Sequence, residues 1–242
     1  MSKIICVGLG PGDPELMSVR ADRLIRNASI IAFFRKAGRK GQARQIVEGM
    51  LSPDVTEIPM EYPVTTEIPV KDQGYNDLLA QFYKEKAALL LEQCQRQEQD
   101  IIVLCEGDPF FYGSFMHLYI RLKEQVDIEV VPGITGMSGC WTATGIPMTW
   151  GEDILTVLMG TLPEERLTVE MQNTDAFVVM KTGRNLPKIK QALRESNRLS
   201  DAWIVSYGTM AKEEIMPLSS YAKDTAPYFT IILVHGRGRR PQ

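Results

Sequence analysis

The chain has 242 residues, 44% of them hydrophobic and 24% charged, enough for one large domain or two small ones with ample cores. A net charge of −3 argues against a nucleic-acid partner, and no apolar run reaches the roughly 18 residues that a membrane span needs. Two histidines exclude a histidine-rich metal site, and Cys6, Cys94, Cys105 and Cys140, widely separated and mostly in apolar segments, read as buried thiols in a reducing compartment and not as disulfides or zinc ligands.

Met1-Ser2-Lys3 leads directly into a strand over 4–7 with no signal-peptide pattern, which predicts a cytoplasmic protein. The strand runs into GLGPGD (8–13). A dinucleotide fingerprint requires a third glycine where Asp13 stands, and Pro11 and Pro14 remove two N–H donors from any phosphate cradle. The turn suits close backbone approach to a ligand that is not a diphosphate. Spacing then predicts a helix over 14–27, a strand over 29–34, a short helix over 42–51 and a strand over 55–60. After a Pro-interrupted stretch to Gly74, Leu78, Leu79, Phe82, Tyr83, Leu90, Leu91 and Cys94 recur at helical spacing. Runs at 101–105 and 128–131 have the continuous apolar character of buried parallel strands. GIPMTWGED (145–153) is rich in turn formers and marks a boundary between domains 1–148 and 149–242. Beyond it, strand-like runs at 154–159, 177–180, 203–207 and 229–234 appear, with helix-like stretches at 163–171 and 186–196 separating the first three. The fold class is α/β, in two α/β domains.

Two further glycine signals follow strands. In IIVLCEGDPFFYGS (101–114), Gly107 permits close approach, Asp108 offers a carboxylate, and Phe110, Phe111 and Tyr112 offer flat apolar faces. In VVPGITGMSGCW (130–141), Thr135 is placed to cap a helix. Either dipeptide taken singly is most often an ordinary turn, Asp108 can equally cap a helix, and the phenyl rings can equally be core. Three such turns at the carboxyl ends of strands, where open α/β sheets bind ligands, favour a binding site.

These segments resemble the tetrapyrrole methylases, S-adenosylmethionine-dependent enzymes of corrin and sirohaem synthesis. The likeness covers essentially the whole chain and extends to FFRKAGRKGQAR, IVEGMLSPD, YPVTTEIPV, SFMHLYIRL, MKTGRNLPKI and APYFTIILV. It implies two domains with the active site in the cleft between them, S-adenosylmethionine as methyl donor, S-adenosylhomocysteine as product, a tetrapyrrole substrate and a homodimer. By the same resemblance Pro11, Glu106, Gly107, Asp108, Phe111, Thr135, Gly136, Met180 and the backbone near Gly208 contact the cofactor. The chain departs from the family pattern at Glu106, where glycine or serine is frequent, and at Gly136, where alanine is. Phe33-Phe34-Arg35 replaces an Asp carried by members that act on uroporphyrinogen.

A sulfonium needs neither a metal nor a nucleophilic side chain, and carboxylates and aromatic faces suit a cation. A substrate with eight carboxylate arms calls for Arg and Lys, so RKAGRKGQAR nominates Arg35, Lys36, Arg39 and Lys40, with Arg44 beside them. Lys181, Arg184 and Lys188 form a second basic group. For any single lysine a solvated face is the simpler reading. Glu106 and Tyr112 are the side chains singled out to accept the proton released on methylation. His117 reads as a packed helix residue. An NADP-dependent reductase would place Arg35 and Lys36 on a 2′-phosphate but fails at the glycine spacing. A non-catalytic binding protein is distinguished only by assay of methyl turnover.

Overall fold

Alternate residues of the first strands face opposite sides of a sheet, and both sides are dry. In the computed structural model, β1 (Ile4–Gly8), β2 (Ile30–Lys36), β3 (Thr56–Tyr62), β4 (Ile101–Cys105) and β5 (Ile128–Val131) pair in parallel in the order β3-β2-β4-β1-β5. Ile4, Cys6, Val103 and Cys105 join one core with Phe82, Leu90, Phe115 and Leu118. Ile5, Val7, Ile102 and Leu104 join another with Ala21, Ile25 and Val47. Burial on both faces is why these strands read as unbroken apolar runs. The covering helices are α1 (Val19–Arg26), α2 (Gln42–Ile46), α3 (Gln73–Gln97) and α4 (Phe115–Leu122). The structure describes residues 2–64 and 73–239, so most of YPVTTEIPV (62–70) lies outside the described residues.

The helix expected over 14–27 begins later. Asp13 accepts the Glu15 N–H at 2.9 Å and closes a single 3₁₀ turn, Pro14–Leu16. Met17 is extended, and Ser18 then caps α1 by accepting the Ala21 N–H at 3.1 Å. Two capping side chains in succession divide the segment. α2 likewise ends at Ile46, not at 51, and the chain turns through Gly49 at φ 81°. On α3, Phe82, Tyr83, Ala87, Leu90 and Cys94 are buried, whereas Leu78, expected on the buried stripe, is exposed.

The chain divides into two units, Met1–Thr135 and Gly136–Gln242. The second contains α5 (Gly136–Ala143), β6 (Leu155–Met159), α6 (Glu164–Gln172), β7 (Ala176–Met180), α7 (Leu186–Glu195), β8 (Ala202–Ser206), β9 (Glu214–Pro217) and β10 (Thr230–Val234). Its sheet runs β6-β7-β10-β8-β9, with β6 and β7 parallel and the other pairs antiparallel. Leu167, Met171, Ile189 and Leu193 of α6 and α7 cover Phe177, Val179 and Ile232 on one face. Met137, Cys140 and Trp141 of α5 cover Val178, Val205 and Leu233 on the other. This packing assigns α5 to the second unit, so the division falls ahead of the turn-rich segment 145–153. β9, with the sequence EIMP, has no alternation to announce it and carries a proline, as an edge strand can.

Candidate functional site at the strand ends

β4, β1 and β5 are neighbours, so the turns that follow them emerge side by side. Their glycines let the backbones meet. A Cβ on Gly8 would lie 2.6 Å from the Gly133 nitrogen and 2.8 Å from the Gly107 carbonyl oxygen, and one on Gly133 would overlap that same oxygen. Gly107 N–H donates to the Gly10 carbonyl at 2.8 Å, and Leu9 N–H to the Cys105 carbonyl at 2.9 Å. Gly10 and Gly107 both have positive φ, at 80° and 64°. Gly8 and Gly10 therefore bring three main-chain segments together.

Asp108 completes the arrangement. Its Oδ2 accepts the Gly133 N–H at 3.1 Å and its Oδ1 the Phe110 N–H at 2.9 Å, so this carboxylate fastens the β4 turn to the β5 turn. Beside it, Glu106 Oε1 accepts the Ala43 N–H of α2 at 2.9 Å. Glu106 is reached by solvent, yet the protein around its carboxyl desolvates it and raises its pKa, against the lowering effect of nearby backbone N–H groups. Phe110 and Tyr112 are exposed, so neither is core, and Phe111 packs edge-on to Tyr112. Tyr112 sits at φ 56°, a left-handed conformation uncommon for a residue with a side chain. Pro11 is buried, and Thr135 is part-buried immediately before α5.

In the second unit, Met180 ends β7 and its carbonyl accepts the Gly160 N–H at 2.7 Å. Gly208 follows β8 and is buried; a Cβ there would lie 2.7 Å from Cys140 Sγ. Burial pushes the Cys140 thiol up to about 12, so it is a packing group and not a nucleophile. Tyr207 and Thr209, on either side of Gly208, both have positive φ, and Thr209 N–H donates to Glu213 Oε2 at 2.6 Å. With Lys181 at φ 55°, strained residues concentrate just past β7 and β8. The Cβ position of Gly136 faces open space.

The basic loop is less free than its sequence suggests. The β2–β3 register sets Arg35 opposite Glu61, and the two pair at 2.7 Å. Arg44 holds Glu57 through two nitrogens at 2.7 and 2.9 Å, and Lys40 pairs with Glu48. Lys36 also has an interaction. Arg39 is exposed and has no side-chain partner among the described residues. In the second basic group, Lys188 donates to the Leu162 carbonyl at 2.6 Å, and Arg184 is engaged as well. His117 stacks on Tyr83 with ring centroids 4.4 Å apart, and burial lowers its pKa. Among the described residues no group of three or more His, Cys, Asp or Glu side chains is placed to hold a metal, and no helix is long and apolar enough to cross a membrane.

The sequence model of the tetrapyrrole (corrin/porphyrin) methylases matches residues 3–221. The chain belongs to this family. It is 46% identical over 241 residues to a precorrin-2 C(20)-methyltransferase of Sinorhizobium sp., covering 100% of this chain and 98% of the relative. Identity to a cobalt-precorrin-2 C(20)-methyltransferase of Salmonella typhimurium is 27%, over 96% of each chain. Among solved structures, a uroporphyrin-III C-methyltransferase of Thermus thermophilus, complexed with S-adenosylhomocysteine, superposes with a TM-score of 0.68 at 21% identity, covering 96% of this chain and 97% of that one. The fold is shared with that methylase.

Two features of this methylase escaped sequence reasoning. The mutual packing of Gly8, Gly107 and Gly133 was signalled only as three glycines after strands, with nothing to say that the strands were neighbours. The acidic partners Glu48, Glu57 and Glu61 all lie further along the chain than Arg35, Lys40 and Arg44, the basic residues they pair with.

Proposed function

We propose that this methylase transfers a methyl group from S-adenosylmethionine to C20 of precorrin-2, yielding precorrin-3A in cobalamin biosynthesis. The observation that carries this reading is the 46% identity, end to end, with a precorrin-2 C(20)-methyltransferase. The residues present suit a cofactor without phosphate: Asp13 caps its own turn, Pro11 and Pro14 lack N–H donors, and the turn after β4 exposes the aromatic faces of Phe110 and Tyr112. When bound, the cofactor supplies an electrophilic methyl group on a sulfonium centre.

In this reading Pro11, Gly107, Asp108, Phe111 and Thr135 of the first unit hold the cofactor, as does Glu106 through its main chain, its side chain being engaged with Ala43, with Gly136, Met180 and the backbone at Gly208 of the second. Asp108 acts by fixing the turns and not by direct charge. Arg39, whose side chain has no partner among the described residues, leads the recognition of substrate carboxylates; Arg35, Lys36 and Lys40 contribute by exchanging their present partners. The substrate carbon gains a methyl group and gives up its proton, and Tyr112 and Glu106 are the proposed acceptors. Tyr112 is favoured as a relay, passing its own hydroxyl proton to solvent as it takes up the substrate's, because Glu106 Oε1 is engaged with Ala43. The chain's work is chiefly to hold two reactants in line. We further propose a cytoplasmic homodimer, for which light scattering should return twice the 27.2 kDa chain mass.

Mass spectrometry of the product formed from metal-free precorrin-2 and labelled S-adenosylmethionine tests the reaction. One added labelled methyl group is expected. Turnover only with cobalt-bearing substrate would move the assignment to the cobalt-factor II enzyme of the anaerobic route, and no turnover with either would refute it.

A further inference from the structure

Glu106 joins two segments that the proposed function assigns to different ligands. α2 starts from Gly41, whose φ is 85° and whose Cβ position lies 2.9 Å from the Phe34 carbonyl oxygen. Both facts exclude the Ser, Thr, Asp or Asn that would ordinarily accept from the first helical N–H groups, and Gly41 supplies no side-chain cap. The acceptor comes instead from Glu106, 63 residues further along the chain, through its 2.9 Å bond with Ala43 N–H. α2 in turn carries Arg44, whose guanidinium holds Glu57 on β3, and it directly follows the turn that carries Arg39 and Lys40. One carboxylate at the end of β4 therefore sets the basic turn against the turn of Gly107 and Asp108.

We infer that Glu106 is a positioning residue that seats the substrate-binding basic turn against the cofactor-binding turn. The identity of the two ligands rests on the proposed function; the linkage itself does not. A glycine or serine at position 106 cannot reach Ala43, so this chain has a connection that shorter residues there would lack.

The test compares the full-length wild type with Glu106→Ala and Glu106→Gln. Amide hydrogen exchange at Ala43, which needs no ligand, should accelerate at least tenfold in Glu106→Ala and stay within about threefold of wild type in Glu106→Gln, whose amide oxygen can accept the same bond. The KM for metal-free precorrin-2 should rise about 5–20-fold in Glu106→Ala and recover in Glu106→Gln, while the Kd for S-adenosylhomocysteine stays within about twofold in both. Unchanged exchange at Ala43, or an unchanged KM in Glu106→Ala, overturns the inference. So does a collapse of kcat in Glu106→Gln at constant KM, which would make Glu106 the proton acceptor. A wild type that neither binds S-adenosylhomocysteine nor methylates precorrin-2 overturns the functional reading instead, and the exchange result stands apart from it.

Discussion

Gly133 and Gly136 lie three positions apart and meet opposite surroundings. A methyl group on Gly133 would overlap the Gly107 carbonyl, whereas one on Gly136 faces open space at the start of a helix. Gly133→Ala should cost about 3 kcal/mol, because backbone atoms of Gly8 and of the turn at Gly107 would have to move. Gly136→Ala should be neutral or add about 0.4–1 kcal/mol. Thermal melting of the two variants checks the contrast, and a loss of S-adenosylhomocysteine affinity in Gly136→Ala at wild-type stability would support the proposed cofactor contact. Gly107→Ala separates function from conformation in the same way. At φ 64° an alanine is disfavoured by about 1–2 kcal/mol. The proposal expects affinity for S-adenosylmethionine to fall at least tenfold beyond that, about 1.4 kcal/mol by calorimetry. A lowered melting temperature with wild-type affinity would make the turn purely structural.

Two glutamates should carry opposite pH signatures. Glu129 accepts from Lys3 at 2.6 Å, and that bond lowers its pKa from 4.5. Its contribution is present above the unfolded value and is lost as pH falls through the folded one, so Glu129→Gln should cost about 0.2–1 kcal/mol near neutrality and nothing in acid. Glu106 is raised from 4.5 by desolvation, so its contribution is present below the unfolded value and is lost as pH rises through the folded one. Urea unfolding of Glu106→Gln should therefore improve relative to wild type as pH rises from acid towards neutrality. A parallel pH dependence in the two variants would contradict both assignments.

At the scale of elements, the basic turn shows why a charge run is a poor guide to a free surface. Arg35, Lys40 and Arg44 each face a glutamate, two of them on β3. Arg35→Glu would set two carboxylates together across the β2–β3 pair and should lower stability by about 1 kcal/mol. Arg39→Glu disturbs no side-chain partner among the described residues, so it should leave the melting temperature unchanged while raising the KM for the tetrapyrrole severalfold. An unchanged KM would return this turn to the role of a solvated face. The elements themselves were legible wherever neighbours in the chain decide them. The strands at 101–105 and 128–131 emerge at the residues read from their apolar runs, and α6 and α7 nearly so. Helix starts were less legible at 14–27, since Asp13 and Ser18 are both good caps and only the fold decides that both are used. β9 stayed hidden because four residues at a sheet edge need no pattern.

At the scale of the whole molecule, two α/β units and the methylase family could be read from the order of apolar runs and from the glycine-bearing motifs, because those signals are local in the chain. The three turns were likewise visible as turns. What the sequence could not supply was their neighbourhood. The order β3-β2-β4-β1-β5 places β1 between β4 and β5, and only that placement sets Gly8 against Gly107 and Gly133. The same holds for Asp108 with Gly133, Glu106 with Ala43 and Arg35 with Glu61, pairs separated by 25, 63 and 26 positions. Strand order and register arise from burying both faces of each sheet at once, a condition on the entire chain. By itself, therefore, the sequence determined which residues turn, cap, bury or carry charge, since each follows from side-chain chemistry and a few neighbours. Only the tertiary structure decided which charges remain without a partner and which carboxylate holds which N–H, because those depend on distances between segments that only packing brings together.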